Sequence, residues 1–109
     1  LSYKVTGSNI TLTRGDTFSA NISIKNADGT PYIPQPGDTV RFAMKRNFSD
    51  AAVLLEKDIP IETMLLTLEP EDTKPLSFEP YVYDIQLTTK DGVVCTFIIG
   101  SIKIDNEVV

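Results

Sequence analysis

A chain of 109 residues is the size of one domain and can bury a core without disulfide staples; 41% apolar and 23% charged residues are ordinary globular proportions, which excludes a disordered segment. A net charge of -5, with no basic run longer than Lys45-Arg46, excludes a nucleic-acid footprint or a patch for anionic membranes. A single cysteine excludes an internal disulfide, and the absence of histidine removes the commonest general base and metal ligand.

The dominant pattern is alternation with period two, which marks half-buried strands. Residues 9–13 put Ile10 and Leu12 on one face. Residues 17–25 put Phe18, Ala20, Ile22 and Ile24 on one face, with Ser19, Asn21 and Ser23 opposite. That strand ends at Asn26-Ala27-Asp28-Gly29, where glycine supplies the positive φ of a tight turn. Pro31, Pro34 and Pro36 make residues 30–38 a loop or an edge crossing, because proline has no N–H for a ladder. Residues 39–45 alternate again with Val40, Phe42 and Met44 inward, and residues 46–50 read as a turn. Residues 51–57 have the composition of a short helix, but the hairpin-like Asn47-Phe48-Ser49-Asp50 before them favours a strand over 51–59.

Residues 62–69 put Met64, Leu66 and Leu68 on one face. Residues 70–75 form a helix-like turn, with Pro70 suited to a first helical position and Pro75 stopping it. Residues 80–89 put Tyr81, Tyr83, Ile85 and Leu87 on one face, and Lys90-Asp91-Gly92 is a second hairpin signal. In residues 93–104 the alternation slips. Cys95, Phe97 and Ile99 share one parity, and Ile102 and Ile104 share the other. Gly100 lies at the slip, so a β-bulge is expected at Gly100-Ser101, with Cys95 a buried, inert thiol. The whole gives about seven strands with frequent turn signals and no βαβ unit, the pattern of an all-β antiparallel two-sheet sandwich in one domain spanning 1–109. No apolar run approaches the roughly 20 residues that span a bilayer.

No catalytic, cofactor or metal residues are expected. Glu69, Glu71 and Asp72 cluster at the helix-like turn, without an aromatic sugar platform, and read as solvated capping acids. Arg14-Gly15-Asp16 spells an adhesive tripeptide, but its simpler reading is a tight turn between strands. The Asn-X-Ser/Thr patterns at Asn9, Asn21 and Asn47 are read as chance matches. The candidates to anchor a partner are Tyr32 and Ile33 in the proline-rich loop and Phe48 in the turn of residues 46–50; the alternative is that they cap the ends of the core, and for Phe48 that alternative is preferred.

Pro70-Glu71-Asp72-Thr73 followed by Tyr81-Val82-Tyr83-Asp84 is the sharpest local feature. In immunoglobulin-like sandwiches such a turn precedes a strand that opens on a corner tyrosine, whose hydroxyl bonds back to upstream backbone. Tyr81 fits that place; its alternative reading is a plain core aromatic.

Three further stretches extend the pattern: residues 10–17 (ITLTRGDT), 27–32 (ADGTPY) and 37–45 (GDTVRFAMK). With residues 68–73 (LEPEDT), 81–85 (YVYDI) and 100–104 (GSIKI), the order and spacing resemble small immunoglobulin-like structural proteins of tailed phages and Firmicute prophages. The similarity includes the N-terminal domain of baseplate upper proteins. The resemblance implies a non-catalytic tail or baseplate part, made in the bacterial cytoplasm and carried in the virion. It implies contact with other phage structural proteins or with copies of itself as a homo-oligomer, and no cofactor, nucleic acid or membrane. The rival reading is a bacterial surface or secreted binding module, adhesin-like or carbohydrate-binding.

Overall fold

The computed structural model describes residues 3–6, by backbone alone, 9–77 and 79–105. The chain is all-β. Its elements run β1 (Tyr3–Thr6), β2 (Asn9–Thr13), β3 (Phe18–Asn21), β4 (Thr39–Lys45), β5 (Leu55–Ile59), β6 (Leu65–Leu68), α1 (Pro70–Thr73), β7 (Pro80–Thr88) and β8 (Val94–Asp105). Six strands form one sheet in the order β1-β2-β8-β7-β4-β5, and β3 and β6 form a second.

The count is thus eight strands among the described residues, one more than the alternation suggested, because β1 pairs back on β2 at the sheet edge. The ladders are antiparallel except for β2 and β8, which run parallel. This corrects the expectation of a purely antiparallel fold. The parallel register sets Ile10 against Ile102 and Leu12 against Ile104, and all four side chains are buried. One register therefore satisfies the apolar face of both strands.

The core lies between the sheets. Phe18, Leu66 and Leu68 of the small sheet and Val40, Phe42, Met44, Tyr81, Ile85 and Ile102 of the large one are nearly fully buried. Each such side chain contributes roughly 1.5–3 kcal/mol by leaving water. Phe42 and Tyr83 pack ring to ring, 5.5 Å between centroids and tilted by 34°. The strand expected over residues 17–25 is paired only to Asn21, because its partner β6 begins at Leu65. Just before it, Met64 takes a positive φ of 51° and turns the chain away, its carbonyl accepting the Ile22 N–H at 2.8 Å.

The bulge sits elsewhere than expected. Ile85 pairs with Ile98 and Gln86 with Thr96, so Phe97 is the extra residue. Gly100 pairs regularly with Tyr83. The apolar run Phe97-Ile98-Ile99 permits the change of face three residues earlier, turning Ile98 inward and leaving Ile99 58% exposed on the outer face. Cys95 is exposed, which corrects its expected burial. It stands opposite Leu87 near the β7–β8 turn, while the second sheet is only four paired residues long.

Candidate protein-interaction face

The structure does not gather the expected anchors into one place. Residues 22–38 enter β4 at Thr39, whereas Phe48 follows its other end at Lys45, roughly 20 Å away at the rise of an extended strand. Ile33 stands 68% exposed at the first end. Tyr32 does not stand free. It packs against the core, and its hydroxyl donates to the Asp38 carboxylate at 2.5 Å. The Gln35 N–H donates to the same oxygen at 2.9 Å. Tyr32 and Asp38 therefore brace the proline-rich loop. Gly37, at a φ of 94°, lets that loop pass close to Lys90, where a Cβ would sit 2.7 Å from the Lys90 Cβ.

The brace has a pH signature. The Tyr32 hydroxyl, followed by the Gln35 N–H, holds the Asp38 carboxyl below its ordinary value, and the bond to Asp38 raises the Tyr32 phenol. A lowered folded carboxyl pKa stabilises the fold fully above the unfolded value of 3.8 and loses that contribution as pH falls through the folded value. A raised phenol pKa works in the opposite sense, stabilising below 10.0 and losing its contribution as pH rises through the folded value. Asp38→Asn is expected to flatten the acid limb of a stability-versus-pH curve measured by urea unfolding; an unchanged acid limb would rule the brace out.

The sequence motifs near α1 are structural. Gly15 turns with a φ of 86°, and its N–H donates to the Thr73 hydroxyl at 2.8 Å. Arg14 Nη1 donates to the Lys74 carbonyl at 3.3 Å, so Arg14-Gly15-Asp16 is tied to the helical turn. Asp72 accepts from the Glu69 N–H at 2.7 Å, closing a capping box, and from Lys57 Nζ at 2.7 Å, joining α1 to β5. The Tyr81 hydroxyl donates to the Ser77 carbonyl at 3.2 Å. Among the described residues no cluster of three or more acidic or thiol side chains is placed to hold a metal. No helix there is long and apolar enough to cross a membrane.

The surface that stands out is the outer face of the six-stranded sheet. An antiparallel sheet with one solvated face normally alternates apolar inward and polar outward. Here Ala43, Asp84 and Ile99 form one outward row across β4, β7 and β8, and Lys45, Val82 and Ser101 form the next. Phe48, 59% exposed, hangs over this face from the β4–β5 connection. It walls a shallow depression of about 90 Å³ with Ala43, Lys45, Val82, Tyr83 and Asp84. The result is a face on which Ala43, Phe48, Val82 and Ile99 stand among Lys45, Asp84 and, opposite Ala43 on β5, Glu56. Of these, sequence reasoning had singled out Phe48 alone. Ile99 was assigned to the buried face, although three apolar residues in succession at 97–99 require at least one to face outward.

No family model, no curated protein and no solved structure matches this chain.

Proposed function

We propose that this chain is a non-catalytic structural module of a phage or prophage tail, immunoglobulin-like in fold, that works by protein–protein contact through the outer face of its six-stranded sheet. The observation that carries the contact reading is that apolar face: Ile99 and Phe48 are each more than half exposed on a sheet surface whose middle should be polar. Exposed apolar and aromatic side chains standing among charged ones are a common composition of a protein contact surface.

The fold assignment is supported by three features taken together. The helical turn α1 precedes β7, which opens with Tyr81 bonded back to the Ser77 carbonyl. A parallel β2–β8 pair begins the run β2-β8-β7-β4-β5, and β3 with β6 supplies the facing layer. The tail assignment rests on the ordered motifs of the sequence, from Ile10-Thr11-Leu12-Thr13 to Gly100-Ser101-Ile102-Lys103-Ile104.

Mass spectrometry of purified tail particles from the source phage or induced prophage tests it. The chain is expected at a fixed stoichiometric ratio to the other tail proteins. Its absence from particles, while it is present in the cells that made them, would rule out the tail reading.

A further inference from the structure

The first half of β8 is an open strand edge. β7 pairs with β8 from Val94 to Lys103, but β2 lies along its other side only from Ile102 to Asp105. Among the described residues no strand pairs with residues 94–101 on that side. The backbone N–H and C=O groups that point that way are met by no ladder. Val93 and Val94 are 62% and 58% exposed, and Cys95 and Thr96 are exposed beside them.

Edge strands are normally blunted by charge or by proline. β5, at the far edge of the sheet, carries Glu56, Lys57 and Asp58. The β8 edge carries neither device. Residues 92–102 (GVVCTFIIGSI) contain no charged residue and no proline, and no other stretch of the chain runs as long without a charge. Their β-branched and aromatic side chains favour extended backbone. The bulge at Phe97 lies past Val94, Cys95 and Thr96, which keep unbroken register with β7. An open edge this apolar and this neutral is a template for another strand.

We propose that this edge pairs antiparallel with the same edge of a second copy, about a two-fold axis near Thr96 and perpendicular to the sheet. Room for the incoming strand ends at β2, beside Ile102, and the β7–β8 turn of the incoming copy must fit before that point, which places the axis near Thr96. Such a pair covers both edges with one contact and joins the two six-stranded sheets into one. Charge and closure name a second copy as the occupant. A chain of net charge -5 resists meeting itself, and an edge charged near the axis would face its own image; here the facing segments carry no charge. β3 also has an open, uncharged edge, but it spans four residues, and joining it to β8 of another copy is head-to-tail and grows without closing. The β8 edge is a different surface from the outer face, so the pairing goes beyond the contact proposed there.

Light scattering across a concentration series, with matched circular dichroism, reads the pairing. The wild type is expected to reach twice the 12.0 kDa chain mass and no more. Thr96 is exposed, so Thr96→Lys and Thr96→Glu keep the fold while setting like charges against each other near the axis. Each is expected to weaken the dimer by at least about a hundredfold. An equal mixture of the two variants is expected to form a heterodimer, since opposite charges then face each other. Hydrogen exchange on the wild type locates the contact without any substitution: backbone amides of residues 94–98 are expected to exchange more slowly as concentration rises. A wild type that stays monomeric at every concentration overturns the pairing. So do growth past two copies, a dimer that both variants keep, and a dimer whose amides at 94–98 exchange as in the monomer. None of these results touches the tail assignment, which the particle composition decides separately.

Discussion

Phe42→Ala is expected to cost about 3–5 kcal/mol of unfolding free energy, the usual range for removing a buried aromatic ring. Phe42 is fully buried at the centre of β4, with a neighbouring strand on each side. Its ring packs on Tyr83 of the neighbouring strand β7, so truncation leaves a void beside that ring. A domain of this size has on the order of 5–15 kcal/mol in total, so the variant should unfold at a much lower urea concentration with a similar slope. A loss under about 1 kcal/mol would mean that the ring is not enclosed between the sheets.

Asp72→Ala comes next, with an expected loss of about 2–4 kcal/mol. One carboxylate there holds two elements together. It closes the capping box of α1 through the Glu69 N–H and takes the Lys57 ammonium from β5, with side-chain exposures of only 12% and 29% for the pair. Removing it strands a partly buried ammonium and leaves an orphan donor at the start of α1. Lys57→Met in the same background is expected to recover part of the loss, because the stranded charge goes with it. Thermal melting of the two variants reads this directly; equal melting points would show that Lys57 contributes nothing through Asp72.

The residues made most of the fold legible, and the misses have definite causes. β4 was bounded to the residue because Val40, Phe42 and Met44 alternate without interruption between Gly37-Asp38 and a polar turn. β2 and β7 were equally plain. β1 went unseen because its place is set by pairing with β2 at the sheet edge. The parallel β2–β8 ladder was hidden because alternation reports which face is buried and says nothing of which strand lies alongside. The bulge was correctly required but placed at Gly100; a change of face anywhere within 97–99 gives the same parity slip, and pairing with Ile85 and Gln86 decided for Phe97. That three-residue difference is what puts Ile99 on the outer face. The candidate site suffered most, since Phe48 was visible as an aromatic in a turn, while Ala43, Val82 and Ile99 gain meaning only when three strands lie side by side. Tyr32 was legible as an aromatic in a proline-rich loop, yet its bond to Asp38 makes it a brace for that loop.

The most direct test of the proposed tail role and its contact face compares two lysine variants for incorporation into purified tail particles, each first shown by circular dichroism to be folded. Ile99→Lys charges the outer face, and Ile33→Lys charges a side chain at least as exposed, in the loop before β4. Exclusion of Ile99→Lys from particles with normal uptake of Ile33→Lys is the expected result. Uptake of Ile99→Lys at the wild-type level would contradict the outer face as the working surface.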